Sequence, residues 1–159
     1  MMEAVTTFRA SSAFSVNNMN TCSLMFIVPA LFWALETPKK TAKDQLQGTW
    51  RVVATEFDGR TLPEAEIKGR HITFLEDKFK VVTGGVTRRT LTFRLEEGKA
   101  PKHIDITNPD KNETANGIYV LEKDELKLCY GEPGEKRPSE FASPAGMRLF
   151  LITLKREKP

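Results

Sequence analysis

The stretch Gly48-Thr49-Trp50 decides the fold of this chain. It opens the first of about eight short segments in which apolar and polar residues alternate, and the last segment ends in Lys155-Arg156. A cation just past the last strand can pack over an indole on the first strand and close one end of a barrel, with about 0.5–2 kcal/mol of attraction. We therefore predict a floor formed by Gly48, Trp50 and Arg156, with Lys155 as the alternative cation.

The alternation continues along the rest of the chain and gives the strand boundaries. A short helix is predicted at 62–68, with Pro63 near its start and Gly69 as its stop, and it would cover one open end. Short turns between consecutive strands favour an antiparallel up-and-down barrel, so the fold class is all-β. The predicted strands cover residues 48–57, 70–75, 78–83, 86–95, 102–107, 117–121, 125–130 and 147–155.

Two other all-β folds compete with the up-and-down barrel. A five-stranded OB barrel has too few strands, and it would present aromatic and basic residues together on one face. An immunoglobulin-like sandwich fits the strand count, but its paired-cysteine core is missing and Trp50 falls on the first strand rather than the third. The eight-stranded barrel accounts best for the pattern.

Residues 1–44 are predicted to be a targeting segment followed by a linker at 37–44, and residues 45–159 to be the folded domain. The uncharged, mostly apolar run at 22–35 is short for a membrane span and suits a secretory signal. An uncleaved anchor or a buried helix is the alternative, because Lys39, Lys40 and Lys43 follow the run. We expect export to the periplasm or the extracellular space.

The charge of the chain is nearly balanced. It has 24 Lys and Arg against 21 Asp and Glu, for a net charge of +3. A nucleic-acid-binding protein would concentrate its Lys and Arg on one face, and the sequence gives no sign of that. We expect no nucleic-acid partner and a monomeric protein.

The sequence contains no recognisable set of catalytic residues. The chain has no phosphate-binding glycine loop, no HExxH, no Gly-x-Ser-x-Gly and no CxxC. Adjacent acids such as Glu76-Asp77 sit at strand ends, where solvated turn carboxylates are expected. Two scattered histidines, His71 and His103, argue against a metal site, and Cys129 is interpreted as a structural cysteine. We predict no catalytic residue, metal or cofactor.

Several motifs in combination carry a resemblance to a known family. They are Leu46-Gln-Gly-Thr-Trp-Arg-Val-Val, Pro101-Lys-His-Ile-Asp-Ile, Asp124-Glu-Leu-Lys-Leu-Cys-Tyr, Arg137-Pro-Ser-Glu-Phe-Ala-Ser and Leu154-Lys-Arg. The chain resembles a lipocalin-like domain family of unknown function that is expanded in planctomycete bacteria, and the resemblance covers essentially all of 45–156. It implies a small β-barrel, often exported or attached to other domains, with no assigned activity.

The first functional hypothesis is a non-catalytic barrel that binds a small apolar ligand. An eight-stranded barrel is just wide enough to be filled by side chains or to hold one small ligand. The candidate ligand-binding residues are Phe74, Phe93, Tyr119 and Tyr130. Gly117 is expected to leave room beside Tyr119, because it has no side chain.

The alternative hypothesis is an exported interaction or scaffolding module of the cell envelope, with a filled barrel and no ligand. The same aromatic side chains could pack the lumen completely. A protein or envelope partner would then bind the rim loops at 108–113 and 131–139, of which the second is rich in charge and turn-forming residues.

Overall fold

A computed structural model describes residues 40–158 of the chain. This part contains nine antiparallel strands and two short helices. The elements are α1 (Ala42–Leu46), β1 (Gly48–Phe57), β2 (Arg60–Thr61), α2 (Glu64–Ile67), β3 (Arg70–Leu75), β4 (Lys78–Thr83), β5 (Val86–Glu96), β6 (Lys102–Asn108), β7 (Glu113–Glu122), β8 (Glu125–Tyr130) and β9 (Phe150–Arg156).

The strands close into a barrel, as the sequence predicts. The strand β1 pairs with β3, each later strand pairs with the next along the chain, and β9 returns to pair with β1, so that eight strands form a closed ring. The two-residue strand β2 is an addition that pairs only with the end of β1, through Glu56 and Thr61. The predicted all-β up-and-down barrel is confirmed.

Two strand starts differ from the prediction, and four strands end one residue later than predicted. The strand β7 starts at Glu113 rather than at Gly117, because residues 113–116 pair with β6 as far as Asn108. The rim loop predicted at 108–113 is correspondingly shorter. The strand β9 starts at Phe150 rather than at residue 147, since Arg148 has a φ of 47° and its amide hydrogen bonds to the carboxylate of Asp58.

The prediction of a linker at 37–44 is wrong for its last residues, because α1 begins at Ala42. Thr41 and Asp44 form a capping box, in which each side chain accepts a hydrogen bond from the other residue's backbone amide. Ala42 and Leu46 are buried in the main core. Because the indole Nε1 of Trp50 donates to the carbonyl of Leu46 over 2.8 Å, α1 lies across the floor end of the barrel.

The helix α2 lies at the opposite end of the barrel. It follows β2, which pairs with the last residues of β1, and it leads directly into the start of β3. It is shorter than the predicted helix at 62–68, because Lys68 is already its C-cap. Its only buried residue, Ile67, belongs to the main core, so this helix covers the upper end.

The apolar run at 22–35, with the rest of the predicted targeting segment, lies outside the described residues. Within residues 40–158, neither helix is long and apolar enough to cross a membrane.

Candidate functional site

Three of the four predicted ligand-binding residues lie deep in the barrel core. Phe74 and Tyr119 are each 1% exposed, and Phe93 is 7% exposed. The ring of Phe74 meets the ring of Phe93 edge-on at 5.1 Å and that of Phe79 at 5.2 Å. Such edge-to-face contacts are favourable packing arrangements for aromatic side chains. These aromatic rings therefore belong to the packed core of the barrel.

Tyr119 differs from the phenylalanines because its hydroxyl group is buried without a hydrogen-bond partner among the described residues. Burial, with a smaller contribution from the charge of Glu97, raises the pKa of Tyr119 to about 12. The ammonium of Lys102 lies 5.9 Å from the centre of the ring. The side chain is thus an uncharged, unpartnered phenol inside an apolar core.

Tyr130, the fourth predicted residue, is only half-buried; it packs against the same core and lies in a row of half-buried rings on neighbouring strands. Its ring stacks on Phe150 with the centroids 5.4 Å apart, and Phe150 stacks on Phe57 at 4.2 Å. Phe57 ends β1, whereas Trp50 lies near its start, so this row lies toward the end of the barrel opposite the floor. Burial raises the pKa of Tyr130 to about 12, and the charge of Arg89 opposes that rise.

The room expected beside Gly117 is already occupied. A Cβ atom at Gly117 would lie 2.8 Å from the Cβ of Tyr130 and 3.2 Å from a methyl group of Ile104. Gly117 pairs with Tyr130 across β7 and β8, and the missing side chain lets these two strands and Ile104 pack closely. This glycine serves packing and leaves no space for a ligand.

The predicted floor is present and is more extensive than the sequence indicates. Trp50 is fully buried, and the guanidinium carbon of Arg156 lies 4.1 Å from the centre of its ring. The same guanidinium donates from Nη1 to the carbonyl of Gln47 over 2.8 Å and from Nη2 to the carbonyl of Gln45. Gly48 has a φ of 114°, which favours glycine, and a Cβ there would lie 3.5 Å from Nη1 of Arg156. The cation–π contact is confirmed.

A long connection, residues 131–149, crosses the outside of the barrel between β8 and β9; we call it the strap. Its residues Leu149 and Phe141 pack with Ile118 and Cys129, which point outward from β7 and β8 and form a second, smaller apolar cluster. The strap therefore covers one side of the barrel wall.

Arg137 fastens the strap to β6 and β7. Its Nη1 donates to the carbonyl of Gly117 over 2.6 Å and to that of Ile104 over 3.3 Å. Its Nη2 donates over 2.6 Å to the carboxylate of Asp105, and the two side chains of this ion pair are 24% and 33% exposed. Hydrogen bonds to charged groups contribute about 1.5–3 kcal/mol each, so Arg137 is the main polar anchor of the first half of the strap.

The second half of the strap is held by the turn after β1. The carboxylate of Asp58 accepts from the backbone amides of Gly146 and Arg148 over 2.6 and 3.3 Å. The amide of Gly59 donates to the carbonyl of Ser143 over 2.6 Å. The strap is thus fixed at two places, and this gives it one defined shape.

The strap encloses an open cleft with a volume of about 470 Å³, lined entirely by residues between 135 and 149. This volume is in the range of about 300–1,000 Å³ that is typical of small-molecule sites. Pro144, Met147 and Leu149 give the cleft an apolar part, and Lys136 and Glu140 give it charge. The cleft lies outside the lumen to which the sequence pointed.

Cys129 and the two histidines do not form a reactive site. The thiol of Cys129 is buried, donates to the carbonyl of Ala142 over 3.4 Å, and has its pKa raised by burial. His71 pairs with Glu157, and His103 pairs with Glu96. Across residues 40–158, no group of three or more His, Cys, Asp and Glu side chains is arranged to hold a metal ion.

The partner-binding loop predicted at 131–139 is the first half of the strap and lines part of the cleft, but sequence reasoning missed the role of Arg137 and the cleft itself. An arginine in a loop rich in turn-forming residues carries no signal for the strand carbonyls that it binds. Comparisons with protein-family models, with curated proteins and with solved structures found no match. The resemblance to a lipocalin-like family therefore stays a prediction.

Proposed function

We propose that this protein is a non-catalytic interaction module, in which a packed barrel supports the strap and the strap cleft binds a peptide segment of a partner protein. The observation that carries the proposal is the contrast between the barrel lumen and the strap cleft. The lumen positions Phe74, Phe93 and Tyr119 are buried, with the rings of Phe74 and Phe93 in contact, whereas the strap holds an open cleft of about 470 Å³.

The composition of the cleft supports a peptide partner. Met147 is 60% exposed, and such an apolar side chain adapts well to varied partners. Lys136 and Glu140 also line the cleft and could pair with charges of either sign on a peptide. Arg137 and Asp58 hold the strap in one conformation, which lowers the entropy lost on binding.

The setting that we propose for this interaction is outside the cytoplasm, as the signal-like run at 22–35 predicts. A loop fixed on a rigid barrel is a frequent place for binding residues in exported domains, because a scaffold can present a variable loop without changing its own core.

Peptide selection tests the proposal. A random peptide library displayed on phage would be selected on the full chain, and the peptides obtained would be measured against two variants. Met147→Asp should weaken binding at least tenfold, because it places a charge in the apolar part of the cleft. Val86→Asp is the matched control, since Val86 is similarly exposed at 54% but starts β5 and lies outside the cleft.

The proposal fails if the selection yields no binding peptide, or if the peptides bind Met147→Asp and Val86→Asp equally well. Circular dichroism melting of both variants would verify that they fold.

Binding of a small apolar ligand is the second candidate function, and the half-buried row of Tyr130, Phe150 and Phe57 favours it. A flat apolar molecule could stack on these rings at the upper end of the barrel. A fluorescent apolar probe distinguishes the two candidates. Only ligand binding in the lumen predicts that the probe binds and that substitutions of lumen residues change its signal.

A further inference from the structure

A second open groove lies at the floor end of the barrel, far along β1 from the row of aromatic rings. Its volume is about 460 Å³. Its walls come from α1 and the residues beside it, from the turn between β7 and β8, and from Arg156. This groove has no part in the proposed function, since none of its lining residues belongs to the strap.

The lining of this groove is predominantly cationic. The lining holds three cations, Lys40, Lys123 and Arg156, and one acid, Asp44. Leu121 supplies the apolar contact. An excess of positive charge in a concave site raises the local concentration of anions.

The two lysines are the uncommitted charges of the groove. In the part of the chain from 40 to 158, neither Lys40 nor Lys123 lies within ion-pairing distance of a carboxylate, and both are exposed. Arg156 has its terminal nitrogens on the carbonyls of Gln45 and Gln47. Its Nε also lies 3.6 Å from the carboxylate of Asp124, so Arg156 offers neither an unpaired charge nor free donors.

The acid of the groove is occupied by its own helix cap. One carboxylate oxygen of Asp44 accepts from the backbone amide of Thr41 over 3.1 Å and from the hydroxyl of Thr41 over 2.7 Å. The side-chain amides of Gln45 and Gln47 are also committed, because they donate to backbone carbonyls beside them. Lys40 and Lys123 are thus the donors left for a ligand.

We propose that this groove binds a small phosphorylated molecule, with the phosphate held by the ammonium groups of Lys40 and Lys123. Lysine binds phosphate as a compact point charge with three donors. A phosphate monoester that carries about two negative charges near neutral pH matches the two uncommitted ammonium groups. The volume of the groove leaves space for a small organic group beside Leu121.

Isothermal titration of the full chain with inorganic pyrophosphate, at low salt, tests this site. The wild type should bind one equivalent with a Kd below about 1 mM. Lys40→Gln and Lys123→Gln should each weaken binding about fivefold, the effect of losing one charge at contact distance in water, and the double variant about 25-fold. A charge-matched double variant, Lys99→Gln with Lys111→Gln, should stay within about twofold of the wild type, because both of those lysines lie outside the groove.

Absence of saturable binding to the wild type would overturn the proposal. Equal weakening in the two double variants would also overturn it, since that result would mean nonspecific attraction to the net charge of the protein. The amide resonances of Gln47 and Leu121 should shift on titration. If other resonances shift and these two do not, the anion binds elsewhere.

Discussion

At the scale of single residues, Arg156 joins three parts of the floor. Its guanidinium lies over the Trp50 ring, donates to the carbonyls of Gln45 and Gln47 at the end of α1, and approaches the carboxylate of Asp124 at 3.6 Å. The exposed ion pair contributes little, whereas the ring contact and the carbonyl hydrogen bonds are partly shielded from water. The floor therefore depends on this arginine through packing and hydrogen bonds.

We expect Arg156→Ala to lower the free energy of unfolding by roughly 2 kcal/mol, more than the ring contact alone would give. Trp50→Ala should lower it by roughly 3–5 kcal/mol, because it removes a fully buried indole. Urea unfolding followed by circular dichroism measures both. Arg94→Ala is the control, since Arg94 is exposed on β5, and its effect should stay below about 0.5 kcal/mol. A similar loss for Arg94→Ala and Arg156→Ala would contradict this account of the floor.

The two lumen tyrosines predict how stability depends on alkaline pH. Burial raises the pKa of Tyr119 and of Tyr130 from the ordinary value of 10 to about 12. Because the neutral phenol is favoured in the folded state, the stabilisation is fully present below pH 10 and is lost as the pH rises from about 10 to about 12. The free energy of unfolding should fall by up to about 1.4 kcal/mol per pH unit for each tyrosine.

Tyr119→Phe separates the two contributions. It should make the alkaline fall shallower and, since it removes an unpartnered buried hydroxyl, it should raise the free energy of unfolding at neutral pH by about 1 kcal/mol. Urea unfolding at a series of pH values measures both effects. Destabilisation by Tyr119→Phe at neutral pH would show that the hydroxyl has a bonding partner in the folded protein.

At the scale of elements, the strap connects the barrel to the proposed binding site. Arg137 is its anchor on β6 and β7, and Asp58 is its anchor at the turn after β1. Arg137→Ala should release the first half of the strap and lower the free energy of unfolding by roughly 2–3 kcal/mol, because strand carbonyls and the Asp105 carboxylate lose their donor.

Hydrogen exchange of the strap amides checks this prediction. Protection should fall for amides near Arg137 in Arg137→Ala and recover only in part in Arg137→Lys, since lysine cannot reproduce the guanidinium fork. Arg148→Ala is the matched control on the same strap, because Arg148 pairs with Glu132 near the surface. Unchanged protection in Arg137→Ala would contradict the role of Arg137 as an anchor of the strap.

The elements that sequence reasoning missed share a physical cause. The five-residue helix α1 is too short to show a helical period, although Thr41 and Asp44 carry the spacing of a capping box. The early start of β7 was missed because Gly117 reads as a strand boundary, whereas in the structure it permits close packing with Tyr130 and Ile104. Short elements and glycines within strands are decided by contacts distant in sequence.

At the scale of the whole molecule, the closed barrel and its floor were predictable because alternation and the Gly-x-Trp signal are local in sequence. The position of the strap was not predictable. The residues that hold it, Gly117 and Asp58, are separated from it by many residues and carry no motif. Three of the four predicted ligand-binding residues, Phe74, Phe93 and Tyr119, point inward and belong to the core. Periodicity gives the direction of a side chain but not the space left beside it.

The central claim is that the barrel is a packed scaffold, and it is tested most directly by one paired measurement on Phe93→Ala. The wild type and this variant would be titrated with N-phenyl-1-naphthylamine, a fluorescent apolar probe, and unfolded with urea. We predict that the wild type does not bind the probe and that Phe93→Ala lowers the free energy of unfolding by roughly 3–5 kcal/mol, because it leaves a void against Phe74. Saturable binding of the probe to the wild type, weakened in Phe93→Ala with less than about 1 kcal/mol lost in stability, would contradict the claim and establish a ligand cavity in the lumen.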